Sequence, residues 1–205
     1  MATPTLCTYT SVGLDLIAGA QIGGPSAQVT YVAIGTGAAL LAGNGTLVTG
    51  QAYTQLPVNA LPAGLPAGQQ LVIVYETNTD LVTLAQAANA GDVTLTIESW
   101  TPAFAFPVGS GLVNQPASGD TQLQAETVRA GISGGTPGTG AGETLISGYC
   151  DPTSTPTGTY LEVGWFGGAG ATSAANSGTL IARGVIWWPH SQGRDSATLQ
   201  LDGTI

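Results

Sequence analysis

The sequence predicts an all-β fold: an antiparallel β-sandwich or barrel-like core carrying an inserted small β subdomain and one or two short helices. Three observations carry that expectation. Short apolar and threonine-rich runs recur along the chain, and several alternate strictly between apolar and polar residues. Gly, Asn, Asp and Pro punctuate these runs, and glycine alone supplies 31 of the 205 residues. Apolar residues spaced three and four apart without glycine interruption are scarce, so helix has little support.

Taken in order, a short helix is predicted over residues 11–17, followed by a strand over 28–34. Further strands are expected over 70–76, 81–86, 92–99, 144–150, 160–166, 179–188 and 197–201. In the run Val93-Thr94-Leu95-Thr96-Ile97-Glu98, alternation places Val93, Leu95 and Ile97 on one face, which suits a half-buried sheet. Leu71-Val72-Ile73-Val74-Tyr75 is continuously apolar and reads as buried on both faces, or covered by a neighbouring subunit. Gly43-Asn44-Gly45, Ala90-Gly91-Asp92 and Asn176-Ser177-Gly178 read as turns that tolerate positive φ. The glycine- and proline-rich stretch Gly134–Gly142 reads as an exposed loop. A second helix is predicted from Asp120-Thr121, a capping pair, through Leu123-Gln124-Ala125-Glu126.

Residues 56–112 differ in texture from their surroundings. They contain the stuttering Leu61-Pro62-Ala63-Gly64-Leu65-Pro66-Ala67-Gly68 and end near the cluster Trp100-Thr101-Pro102-Ala103-Phe104-Ala105-Phe106-Pro107, which suits a rim or an edge. The expected organisation is a main β domain of residues 1–55 and 113–205 with the subdomain 56–112 inserted into it.

Charge narrows the function. Charged residues make up 7% of the chain, against roughly 25% in ordinary globular proteins. There is no lysine, and the cations are Arg129, Arg183 and Arg194. Interface cores are depleted in charge, so a chain this poor in ions reads as a subunit that hides surface in an assembly. A net charge of −9 with three scattered arginines excludes a phosphate-binding stripe, so no nucleic-acid partner is expected, nor an anionic membrane surface. The amino terminus shows no basic stretch followed by an apolar run, and no stretch of ~20 apolar residues is uninterrupted. Synthesis in the cytoplasm is the resulting expectation. Cys7 and Cys150, far apart in sequence, read as reduced, buried small hydrophobes, with a later disulfide as the alternative.

The order of several motifs resembles a known class. Val29-Thr30-Tyr31-Val32-Ala33-Ile34-Gly35-Thr36-Gly37 is similar to an opening strand that ends in a Gly-Thr-Gly turn. Thr121-Gln122-Leu123-Gln124-Ala125-Glu126-Thr127-Val128-Arg129 matches a Thr-x-Leu-x-x-Glu-x-x-Arg stretch. Leu161-Glu162-Val163-Gly164-Trp165-Phe166 and Gly178-Thr179-Leu180-Ile181-Ala182-Arg183 follow in the same order. Together, over residues 28–37 and 120–201, they resemble the particle-attachment domains of phage tail-collar fibre proteins and small virion proteins of tailed phages. The resemblance implies a structural subunit of a virion. The inserted segment, and a chain that stops at Ile205 without a shaft, shift the expectation from a fibre base to an accessory subunit: a capsid decoration, collar or tail-tip protein. Its partners would be copies of itself, with a trimer expected, and other virion proteins. The rival classes are a receptor- or glycan-binding tail module and a bacterial surface adhesin.

The individual residues favour structure over chemistry. Arg129 and Arg183 are expected to pair with Glu126 and Glu162, pinning a helix and the later strands in register. Trp187 and Trp188 point to opposite faces of a strand, so one enters a core and the other meets a partner. Trp100, Phe104 and Phe106 are the further interface candidates. His190 is the sole histidine, which excludes multi-imidazole metal sites, and no Gly-x-Ser-x-Gly elbow accompanies it. Gly35-Thr36-Gly37 lacks the lysine of a phosphate loop, and the acidic residues are isolated in sequence. Asn78, Asp80 and Asp92 fit no calcium loop. No enzyme activity, metal or cofactor is expected.

Overall fold

The computed structural model describes residues 6–22, 28–43, 46–137 and 143–204. The elements run in chain order as β1 (Leu6–Tyr9), α1 (Ser11–Gln21), β2 (Val29–Gly35), β3 (Ala39–Leu40), β4 (Tyr53–Pro57), β5 (Gln70–Tyr75), β6 (Asn78–Thr83), β7 (Thr94–Trp100) and β8 (Gly111–Asn114). Then follow β9 (Glu126–Pro137), β10 (Glu143–Cys150), β11 (Gly158–Gly167), β12 (Thr179–His190) and β13 (Ala197–Thr204). The fold is all-β, with antiparallel sheets, one of them a curled half-barrel. Two compact units form, one from Met1–Gly35 with Pro116–Ile205 and one from Thr36–Gln115. The second unit starts at Thr36 rather than residue 56 because Ala38, Leu41 and Leu47 are buried in its core.

The first unit is a seven-stranded sheet in the order β1-β12-β11-β2-β9-β10-β13. Its curl is written in glycine. β2 and β10 are separated by β9, yet a Cβ placed on Gly148 would come within 2.8 Å of the Val32 Cβ. A side chain at 148 would flatten the sheet. On the β2 strand, Val32 and Ile34 enter the main core with Val163, Trp165, Ile186 and Leu199, while Ala33 joins Leu123, Phe166 and Leu180 in a second cluster. β2 is therefore buried on both faces, with Val32, Ala33 and Ile34 all fully covered.

α1 extends four residues beyond the predicted 11–17. Thr10 caps it, accepting from the Gly13 N–H at 2.9 Å and donating to the Leu180 carbonyl. Gly13 lies so close to β12 that a Cβ would sit 2.6 Å from the Ile181 Cα. Leu16 and Ile17 then pack against the main core. Among the described residues no helix is long and apolar enough to cross a membrane.

The second unit pairs a four-stranded sheet, β3-β8-β5-β6, with the two-stranded β4-β7. Leu71 and Ile73 of β5 meet Leu56, Leu95, Ile97 and Phe106 in its core, and Val72 and Val74 are also fully buried. Leu95 and Ile97 share the core face as predicted, but Val93 precedes the strand and is 59% exposed. The stutter buries Leu61 and Leu65, one per repeat.

Two expectations are corrected. Residues 120–126 form no helix: Glu126 opens β9, whose Val128–Gly131 backbone pairs with β2. The Asp cap and the Glu126/Arg129 spacing mimic a helical turn, but the partner strand supplies a better ladder. The expected loop 134–142 is shorter than predicted, because Gly134 to Pro137 continue β9 opposite Ser147 to Thr144 of β10; the remainder lies outside the described residues. Positive φ occurs at Gly91 (+90°), Asn176 (+53°) and Gly178 (+77°), whereas Asn44 and Gly45 of the first predicted turn lie outside the described residues.

Candidate functional site

Asp120, Glu126, Arg129, Glu162 and Arg183 of the first unit are drawn into ion pairs. Glu162 sits on β11 just after a register shift, fully buried and opposite Gly35 of β2. Only glycine leaves room there, since a Cβ at 35 would lie 2.5 Å from the Glu162 Oε1. Oε1 accepts from the Ala125 N–H at 2.6 Å, and Oε2 accepts from the Gln124 N–H at 2.9 Å. Arg183 of β12 donates to the same Oε2 through Nη2 (2.8 Å) and Nε (3.2 Å). Its Nη1 reaches Asp120 Oδ2 at 2.8 Å, and Asp120 in turn accepts from the Ala117 N–H. A buried carboxylate with two backbone and two guanidinium donors has its lone pairs occupied.

Glu126 and Arg129 form a second buried pair, with side chains 2% and 3% exposed and two bonds at 2.7 and 2.9 Å. The pair closes on strand β9 rather than on a helical turn. Arg129 also donates to the Ser177 carbonyl at 2.9 Å and lies 4.0 Å over the Phe166 ring. Glu126 accepts from the Asn176 N–H at 2.8 Å, and the Asn176 side chain accepts from the Leu123 N–H. The two pairs thus fasten segments 117–125 and 172–177, which have little ladder of their own, onto the central strands. Asp120 and Asn176 are the participants that sequence spacing did not reveal.

These ions are tied to backbone and to one another. A cleft lined by Val12, Asp120, Thr121, Gly178, Thr179 and Leu180 holds about 130 Å³, below the ~300 Å³ at which ligand pockets begin. Asp80 binds the Leu81 and Ala103 N–H groups and Asp92 binds that of Asn89, so each is tied to local backbone. No group of three or more metal-ligating side chains occurs among the described residues.

The aromatic candidates divide. Phe106 is fully buried and Trp188 is 8% exposed, so both are core residues and neither offers a surface. Trp188 packs against Tyr160 at 5.4 Å and His190 at 4.7 Å. His190, itself buried, bonds the Thr155 carbonyl at 3.0 Å through Nε2. Trp100 is half-buried between Tyr53 and Phe106, Trp187 is half-buried, and Phe104 is 43% exposed.

Cys7 and Cys150 are both free thiols, and Cys7 is exposed rather than buried. Burial pushes the Cys150 thiol from 9.0 up to about 11. Below pH ~9 the thiol is protonated whether folded or unfolded. As pH rises from there through about 11, only the unfolded chain gains the thiolate readily, so stability falls across that window. The expected result at pH 8 is that iodoacetamide leaves Cys150 unmodified in the native protein and modifies it in denaturant. Rapid native labelling at Cys150, read by peptide mass, would contradict the burial.

Fold and ion pairs define an all-β protein whose buried charges serve as fasteners. No protein family matches the chain, no curated protein matches it in sequence, and no solved structure matches its fold.

Proposed function

We propose that the chain is a non-enzymatic structural subunit of a tailed-phage particle, made in the host cytoplasm. It acts by self-assembly, with three copies the expected number, and by docking on capsid, collar or tail proteins. The observation that carries this reading is where the charge lies. Arg129 and Arg183 are consumed in buried pairs, which leaves Arg194 as the cation outside them. The unit Thr36–Gln115 contains Glu76, Asp80, Asp92 and Glu98 but no Lys, Arg or His. It also exposes Val48, Leu81, Val93, Phe104 and Val108. Charge-depleted surface with apolar side chains is the composition of an interface centre. The resemblance to particle-attachment domains supplies the kind of particle.

Nothing in this role needs a cofactor, a nucleic acid or a membrane. Sedimentation of the purified chain tests the assembly, with a defined oligomer expected and a strict monomer at all concentrations counting against it. Mass spectrometry of purified particles tests the location; the subunit should appear at a fixed copy number relative to the capsid protein, and its absence would end the virion reading.

A further inference from the structure

The seven-stranded sheet does not close on itself. Among the described residues no strand lies beyond β1 or beyond β13, so two edges are open. Open edges invite pairing with other chains, and proteins commonly guard them with Lys, Pro, an inward-pointing charge, a covering element or extreme shortness. The second unit follows that practice. Its β3 edge has two residues, β4 ends in Pro57, and β6 carries Asp80 and is continued by a bridge from Leu84 to Ile97 of β7. In the first unit the longer edge is less guarded. β13, Ala-Thr-Leu-Gln-Leu-Asp-Gly-Thr, spans eight residues with no Lys, Arg or Pro and a single acid, Asp202. β1, Leu-Cys-Thr-Tyr, has no charge at all.

We infer that β13 of one copy pairs with β1 of a second copy, so that the half-barrel sheet continues from subunit to subunit. The inference rests on the self-assembly proposed above and names its seam. The occupant is another copy because, among the described residues, each copy presents both halves of such a pairing, a β1 edge and a β13 edge with no further strand beyond either. Pairing β13 with β13 about a two-fold axis would cover one edge per copy and leave β1 open. Head-to-tail pairing covers both, and a head-to-tail contact also permits a closed ring of three. Neither edge presents a like charge to the other, since the acid of β13 meets the uncharged β1.

Hydrogen–deuterium exchange on the full chain, run dilute and concentrated alongside sedimentation, tests this. The expected result is concentration-dependent protection at both 197–204 and 6–9. Thr198→Lys, on the half-buried face of β13, should raise the association constant's midpoint concentration roughly tenfold or more. This lysine lowers the chain's net negative charge, so simple relief of self-repulsion would act in the opposite direction. Ser173→Lys, exposed in the first unit and on neither edge strand, is the control and should leave association unchanged. If the chain associates while exchange in β1 and β13 ignores concentration, the seam is wrong and the self-assembly reading stands. If β13 alone gains protection, head-to-tail pairing is overturned in favour of the two-fold arrangement. If the chain never associates, both the seam and the assembly fall.

Discussion

Replacing Arg183 with alanine is expected to destabilise the first unit by about 3–5 kcal/mol, the range for breaking one partner out of a buried ion pair. The cost arises chiefly from what is left behind. Glu162 is fully buried, and without Arg183 its carboxylate keeps the Gln124 and Ala125 N–H groups but loses its countercharge. Asp120 loses its partner too, though at 23% side-chain exposure water compensates it in part. Glu162→Leu combined with Arg183→Met removes both buried charges and should recover part of the loss. Full recovery is not expected, because the two backbone N–H groups would then lack their acceptor, an orphaning of about 1–3 kcal/mol each. Urea titrations of the two variants and the parent chain supply the numbers. A single-variant cost below about 1 kcal/mol would mean the pair is solvated and is no pin.

Trp165→Ala should cost a similar amount, about 3–5 kcal/mol, by a different route. Trp165 is among the largest fully buried side chains and lies in the main core with Val32, Ile34 and Ile186. Its indole N–H has no acceptor among the described residues, so the loss is one of packing, with no hydrogen bond to account for. Trp165→Phe, which keeps an aromatic plug, should retain most of the stability. In both experiments Thr36–Gln115 keeps its own protection against hydrogen exchange, because its core draws on none of the same residues. A simultaneous loss of protection in both units would show that they unfold as one.

How far the fold could be read from residues alone depended on how strongly each element declared itself. β2, β5, β11 and β12 were legible because they are long and apolar or alternating, with turn residues at their ends. β1, β3, β4 and β8 were missed; each has two to five residues, too few to show a period. β9 was hidden by its own composition, since Gly131, Gly134 and Gly135 carry no β signal and are held in place by the strands alongside. The pairs Glu126–Arg129 and Glu162–Arg183 were legible because charge is so rare that few combinations exist. Asp120 was not, since 63 residues separate it from Arg183 and only the folded sheet brings them together. Phe106 reads as an interface residue because an aromatic cluster beside proline looks like a rim, and Trp188 because either member of the Trp187-Trp188 pair could be the one that enters the core. Their neighbours in space, invisible in sequence, make them core.

The larger sheet depends on a contact that is remote along the chain, Gly35 opposite Glu126, with all of Thr36–Gln115 looped out between them. Closing such a loop from a flexible chain costs entropy that grows with its length. The inserted unit shortens that loop in advance: when Ala38 bonds Leu112 at 2.8 Å, its two ends are already side by side. Once it has folded, the chain left to close between β2 and β9 is residues 36–37 and 115–125. Folding the insertion first would offset the closure cost that its own length imposes, so pulsed hydrogen exchange during refolding is expected to protect Thr36–Gln115 no later than β2 and β9.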